Sequence, residues 1–233
     1  DRQRPCTHGA HSHVEEMERG EIIILIIILF VIFIIFGRIF IKRGIVIFPT
    51  ETVYGIGVNG FDGDAIKRLF EIKQRPLNKP ISLLVSDLNM VEKIAKDITD
   101  VEYNLMKKFF PGPFTIVLKK KDIVPNILTA NFDTVGIRMP SEEIARKLVE
   151  YAYVPIAAPS ANISGKQSGT NLKDIMKDFT GKVDYIIDGG DSELGISSTI
   201  VKVIEGVPHI LRKGSITKEQ ILEVTGHVVD DCK

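Results

Sequence analysis

The chain has no tryptophan and only two cysteines in 233 residues. Cys6 and Cys232 stand at opposite ends, with no Cys-x-x-Cys spacing anywhere. That argues against a disulfide framework and against a cysteine zinc site, and it fits a reducing compartment. An excess of one charge is missing too, since 30 lysines and arginines balance 30 aspartates and glutamates. Nothing global therefore points to nucleic acid or to a membrane surface, and any basic site must be local. No internal repeat is visible. His209 and His227 lie in the C-terminal part and His8, His11 and His13 near the N-terminus, so no Ser-His-Asp or Cys-His set suggests itself. A covalent enzyme intermediate is not expected.

What is present is ample apolar content, 44% of residues, in a chain long enough for one large domain or a domain with an appendage. Residues 1–20 read as a flexible polar tail, with Met17 as the start of the natural chain. Three histidines there could hold a metal, but the tail reading is preferred. Ile22 to Phe36 is a run of fifteen apolar residues, nine of them isoleucine. With Ile39, Phe40 and Ile41 it reaches about the 20 residues that a membrane helix needs. Arg38, Lys42 and Arg43 would hold its C-terminal side in the cytoplasm. Isoleucine-rich runs also form buried strands, so residues 21–43 are a possible membrane anchor or a buried N-terminal element. The expectation is a cytoplasmic catalytic domain that works without the run.

From Gly44 onward, strand-like and helix-like stretches alternate. Strands are expected at Ile45–Phe48, Ile81–Val85, Phe114–Leu118, Val135–Arg138, Ile156–Ala158, Tyr185–Asp188 and Thr199–Ile204, the last pairing with Val207–Leu211 across Glu205-Gly206. Helices are expected over Ala65–Ile72, Asn89–Ala95, Asp100–Phe110 and Asn171–Phe179. Another is expected from a Ser141 cap to about Tyr151, and a last short one after a Thr217 cap. The pattern predicts an α/β domain over residues 44–220 with a mixed, twisted sheet, and a C-terminal tail over 221–233.

Two stretches carry the chemistry. Phe48-Pro49-Thr50-Glu51-Thr52-Val53-Tyr54-Gly55-Ile56-Gly57 follows an apolar run. If it is extended, Thr50 and Thr52 share one face and can line a wall of a site, while Gly55 and Gly57 suit a close backbone approach to a ligand. Composition alone reads it equally as a strand end and turn. Lys73-Gln74-Arg75-Pro76-Leu77-Asn78-Lys79-Pro80 then places three cations on a proline-fixed loop after a helix. Such a loop suits a polyphosphate through charge-assisted bonds, although a basic loop is more often merely solvated.

Together these stretches resemble the YrdC-like family of threonylcarbamoyl-AMP synthases. Further stretches agree in the same order: Phe110-Pro111-Gly112-Pro113-Phe114-Thr115, Val135-Gly136-Ile137-Arg138-Met139-Pro140, Ala158-Pro159-Ser160-Ala161-Asn162, Ser197-Ser198-Thr199-Ile200-Val201 and Leu211-Arg212-Lys213-Gly214. The resemblance runs from about Lys42 to Lys218 and is to the short, single-domain members. It implies the YrdC-like open fold, a twisted mixed sheet flanked by helices around a deep basic cleft. It also implies joining of L-threonine, bicarbonate or CO2, and ATP, with Mg²⁺, into threonylcarbamoyl-adenylate and pyrophosphate. The product would pass to a tRNA threonylcarbamoyl transferase.

By the same resemblance Lys73, Arg75, Ser160 and Asn162 are the signature residues. Arg75, Lys79, Thr134, Asn162, Thr170 and Arg212 fall at ATP positions, and Thr52, Arg138, Ser160 and Ser198 at threonine positions. No protein metal ligand is implied. Arg138 is independently suited to a carboxylate by its planar fork. The hydrophobic neighbours of Tyr54 are candidates to receive the threonine methyl. Leu84 stands where longer members carry a histidine. A competing reading is a double-stranded RNA or tRNA-binding module, with Lys67, Arg68, Lys73, Arg75 and Lys79 along an RNA backbone. A carbamoyl-phosphate-hydrolase type of maturation factor is disfavoured, because no cysteine pairs are present.

Overall fold

The computed structural model describes residues 24, 27, 31, 34, 35, 38–40, 42–166 and 172–232. One ten-stranded mixed sheet organises it. In chain order the strands are β1 (Val46–Phe48), β2 (Gly55–Asn59), β3 (Leu83–Leu84), β4 (Phe114–Lys119), β5 (Thr134–Arg138), β6 (Ile156–Ala157), β7 (Tyr185–Ile186), β8 (Thr199–Ile204), β9 (Val207–Arg212) and β10 (Val229–Asp230). Across the sheet they run β10-β9-β8-β4-β5-β3-β6-β2-β1-β7. The helices are α1 (Gly63–Ile72), α2 (Leu88–Ile94), α3 (Asp100–Phe109), α4 (Glu143–Ala152), α5 (Leu172–Phe179) and α6 (Lys218–Thr225).

Period-two alternation sorts the central strands. Phe114, Ile116 and Leu118 of β4, Val135 and Ile137 of β5 and Val201 of β8 are buried in one core. Thr115 and Val117, Thr134 and Gly136, and Ile200 and Lys202 fall on the opposite face, where a cleft opens. The β8–β9 hairpin forms as expected. Its turn needs positive φ at both central residues, 50° at Glu205 and 81° at Gly206, and glycine supplies the second without strain.

Several expected boundaries shift for local reasons. α3 is capped by Thr99 rather than Asp100, in a capping box with Glu102. α4 is capped by Glu142 rather than Ser141, the carboxylate accepting from the Ala145 N–H at 2.7 Å. β3 is shorter than Ile81–Val85. The expected tail at 221–233 is also corrected. Its Ile221 is fully buried on α6, and Val229–Asp230 add a parallel strand to β9.

At the N-terminal end, Phe40 is fully buried and the chain turns into β1 through Arg43, at φ 65°. The described residues of the apolar run, Ile24, Ile27, Val31, Ile34 and Ile35, are helical, and all but Ile34 are exposed. They do not form a buried strand. Among the described residues no helix is long and apolar enough to cross a membrane. The rest of the run, and residues 1–20 with their histidines, lie outside the described residues.

Candidate active site

Strand register builds the cleft. Leu84 of β3 pairs with Arg138 of β5, and Thr115 of β4 pairs with Ile200 of β8. Continuing the Ile116–Ile137 register by one residue sets Thr115 across from Arg138. Ile200 in turn faces Arg212 of β9. Leu84, Arg138, Thr115, Ile200 and Arg212 thus form one row across five strands, and all of them line a cavity of about 160 Å³. Arg212 reaches that face through a bulge. Val201 pairs with Ile210 and Ile200 with Arg212, so Leu211 is the extra residue that swings Arg212 out of core phase.

Arg212 is fixed on the β8 start. Its Nε and Nη2 donate to the Ser198 carbonyl at 3.1 and 2.8 Å, and Nη2 also donates to Ser198 Oγ at 3.0 Å. Ser198 Oγ lies 2.8 Å from Thr115 Oγ1. Opposite, Ser160 lines the cleft and its hydroxyl donates to Asn162 Oδ1. The Asn162 amide donates to the Ile163 and Lys166 carbonyls. Asn162 therefore braces the Ser160 loop from outside the lining. Lys73 does the same from beneath: it is buried, not solvated, and its ammonium donates to the Ser160 and Asn162 carbonyls.

Arg75 lines the cleft with its guanidinium pinned to its own loop, Nε to the Lys79 carbonyl at 3.0 Å and Nη2 to the Pro80 carbonyl at 2.8 Å. Lys79 itself is exposed, and its side chain lies outside the lining. Thr134 lines an adjoining cavity of about 340 Å³, with Phe132, Val117, Leu211 and Lys202. The two cavities share Pro80, Ile81, Ser82 and Ile200. Gly136 keeps their common floor open, because a Cβ there would come within 2.7 Å of Ser82 Oγ. Thr170 lies outside the described residues.

The electrostatics are one-sided. No carboxylate is among the described residues lining the first cavity, while three guanidinium groups are. Burial lowers the Arg212 pKa, and the charges of Arg138 and Arg75 lower it further. Burial likewise lowers Arg75. Burial first, then the Arg75 charge, lowers Lys73 to about 7. An entering anion would relieve this repulsion in a site shielded from bulk water.

Among the described residues, Glu51 is the acid that reaches an arginine of the cleft. It is 6% exposed, and its Oε1 lies 2.8 Å from Arg138 Nη2. The contact is ionic and not a directed hydrogen bond, and Arg138 Nε makes none. Removing one partner of such a pair leaves an uncompensated buried charge. Neither Glu51 nor Thr115 stands out as a site residue in the sequence. A carboxylate three residues after a strand and a threonine after a Pro-Gly-Pro turn carry no local mark of what they meet.

The first motif also differs from its extended reading. Residues 51–53 form a bend, and Thr50 Oγ1 donates to the Val53 carbonyl at 2.6 Å. Thr50 shapes the bend while Thr52, 2.9 Å away hydroxyl to hydroxyl, lines the cleft. Gly55 and Gly57 make room for the Phe48 ring, not for a ligand: a Cβ on Gly57 would lie 2.7 Å from that ring. Tyr54 is a core residue whose hydroxyl donates to the Gly190 carbonyl at 2.7 Å, away from the cleft. The cations proposed to track RNA do not form one exposed line either, since Lys73 is buried and Arg68 meets Asp184 at 3.4 Å.

Fold and site together define an α/β domain with an arginine-lined cleft on one face of its sheet. A family model for Sua5, YciO and YrdC, described as "Telomere recombination", matches residues 39–214, and the chain belongs to that family. It is 46% identical over 190 residues to a threonylcarbamoyl-AMP synthase of Pyrococcus abyssi, covering 81% of this chain and 56% of that protein. It is 41% identical over 177 residues to a putative threonylcarbamoyl-AMP synthase of Methanocaldococcus jannaschii, covering 76% of this chain and 83% of that protein. The crystal structure of P. abyssi Sua5 complexed with L-threonine superposes with a TM-score of 0.83 at 43% identity, covering 85% of this chain and 58% of that one. The chain thus spans little more than half the length of the P. abyssi protein.

Proposed function

We propose that this chain makes threonylcarbamoyl-AMP, pyrophosphate and water from L-threonine, bicarbonate and ATP, for threonylcarbamoyladenosine modification of tRNA. The observation that carries the reading is the convergence of Arg75, Arg138 and Arg212 with Thr52, Ser160 and Ser198 in one small cleft beside an apolar slot. The names of the relatives support threonylcarbamoyl-AMP as the product and L-threonine as a substrate.

In this reading Arg138 forks onto the threonine carboxylate, with Thr52, Ser160 and Ser198 around the remaining polar groups. The slot beside Phe132 and Thr134 takes the nucleoside, and Arg75, Lys79 and Arg212 face the phosphates. The threonine amine attacks the bicarbonate-derived carbon and forms a carbamate. A carbamate oxygen then attacks the α-phosphorus and the bond to the β-phosphate oxygen breaks. Guanidinium groups already in place stabilise the charge that moves onto pyrophosphate without reorganising. Substrates that fill the cleft would keep water from the labile carbamate. The lining offers hydroxyls and no carboxylate, which fits Mg²⁺ brought with ATP and held mainly by phosphate oxygens and water. When bound, Mg²⁺ neutralises phosphate charge. The product then passes to a tRNA threonylcarbamoyl transferase, in the cytoplasm.

The test is pyrophosphate release by the purified chain. Release from ATP is expected only when L-threonine and bicarbonate are both present. Equal release without threonine would overturn the reading.

A further inference from the structure

The row across the sheet contains one polar residue with no assigned part in the chemistry. Thr115 lies in the cleft floor between Arg138 and Arg212, only 2% exposed. Its one described polar contact is Ser198 Oγ, 2.8 Å away. Ser198 is 3% exposed and receives Arg212 Nη2 on the same oxygen.

Proton counting gives this pair a direction. Each hydroxyl has one proton to donate, and a guanidinium can only donate. Of the two hydroxyl protons, one lies between Ser198 and Thr115, and the other has no acceptor among the described residues. The charged donor from Arg212 polarises the Ser198 hydroxyl and makes it the better donor to Thr115. The unspent proton therefore sits on Thr115. A buried hydroxyl with nothing to donate to is costly, and the cost vanishes once an anion enters.

We propose that Thr115 contacts the ligand directly. Its hydroxyl ends a chain of donors, Arg212 to Ser198 to Thr115, and gives its proton to an oxygen of a planar carbon oxyanion seated between Arg138 and Arg212. The space there is small and walled by Leu84, Ile81 and Ile200, which suits a carboxylate or bicarbonate better than a polyphosphate. The Arg138 guanidinium, whose Nε makes no hydrogen bond, matches the same flat geometry. The inference rests on the cleft being the place of the amino acid and bicarbonate. Either ligand has the required chemistry, and binding measurements separate them.

Thr115→Val removes the hydroxyl at nearly constant shape, and Thr115→Ser keeps it. On the full chain, without turnover, the Kd for L-threonine is read by calorimetry and that for ¹³C-bicarbonate by NMR titration. The valine variant is expected to weaken one of them by about tenfold to a hundredfold, while the serine variant stays within about threefold of wild type. Loss of threonine affinity assigns the proton to the amino-acid carboxylate, and loss of bicarbonate affinity assigns it to the carbon source. If the valine protein does not fold, Thr115→Cys, a weak donor of similar size, carries the same expectation. Unchanged constants in the variant lacking the hydroxyl, equal impairment by serine, or a wild type that binds neither oxyanion would each overturn the inference. A wild type that binds threonine but releases no threonine-dependent pyrophosphate would defeat the synthase reading and leave this one standing.

Discussion

Lys73 offers the sharpest test of how the cleft is held. Its ammonium lies under the Ser160 loop and donates to two carbonyls, yet burial and the neighbouring Arg75 lower its pKa from 10.5 to about 7. A group that is harder to protonate when folded than when unfolded makes stability rise with pH between those two values. Below about 7 both states carry the proton and the folded state bears the full cost. Above 10.5 neither does. Within the window the slope is about 1.4 kcal/mol per pH unit. Lys73→Met keeps the length and apolar stem and removes the titration. The Ser160 and Asn162 carbonyls lose their donor, at about 1–3 kcal/mol for each group left unsatisfied. The discriminating quantity is the difference in unfolding free energy between wild type and Lys73→Met. It should grow in favour of wild type by about 2 kcal/mol from about pH 7.5 to about pH 9. Urea unfolding at the two pH values measures it. Parallel pH profiles for the two proteins would refute the argument, because they would mean that Lys73 titrates alike in the folded and unfolded chain.

Arg75→Ala should lower turnover at least tenfold and leave the melting temperature within about 2 °C of wild type, since this partly exposed cation contributes more to charge stabilisation than to packing. Steady-state kinetics and a melting curve on one preparation check both halves. Arg138→Lys should raise the threonine KM more than the ATP KM, because lysine keeps the charge and loses the fork; a larger change for ATP would move Arg138 to the nucleotide. Phe132→Ala should raise the ATP KM about tenfold with little change for threonine, by removing an aromatic face worth about 1–3 kcal/mol against a base. An unchanged ATP KM would take the base out of that slot.

What was legible in the sequence was mostly what depends on nearest neighbours. Apolar runs, turn dipeptides and helix starts gave the alternation of strands and helices, and the run of cations before Pro80 marked a charged loop. The burial of Lys73 was not legible, because a lysine after a helix looks solvated until Ser160 and Asn162 are brought over it. Thr115 and Glu51 escaped for a related reason. Their roles exist only once β4 lies beside β8, and once the bend at residues 51–53 faces Arg138. Gly55 and Gly57 were misread because the group that fills their space, the Phe48 ring, is supplied by the preceding strand. The helix after Thr217 was legible from its cap, but residues 221–233 looked like a tail because a single buried isoleucine anchors them.

The bulge at Leu211 has a consequence for how the chain tolerates change in length. Arg212 faces the cleft only because β9 carries one residue more than β8 between their shared partners. Deleting Leu211 would close the bulge and leave the arginine opposite Ile200 by ordinary alternation, whereas regular pairing with Leu211 kept in place would send the guanidinium toward the core. The same hairpin is forgiving at its far end, where Glu205-Gly206 turns in solvent and extra residues would leave the phase at Ile200 and Arg212 untouched. For this part of the molecule, then, spacing matters as much as identity. A relative that keeps Leu211 but pairs this stretch without the bulge would present a different wall to the same ligand.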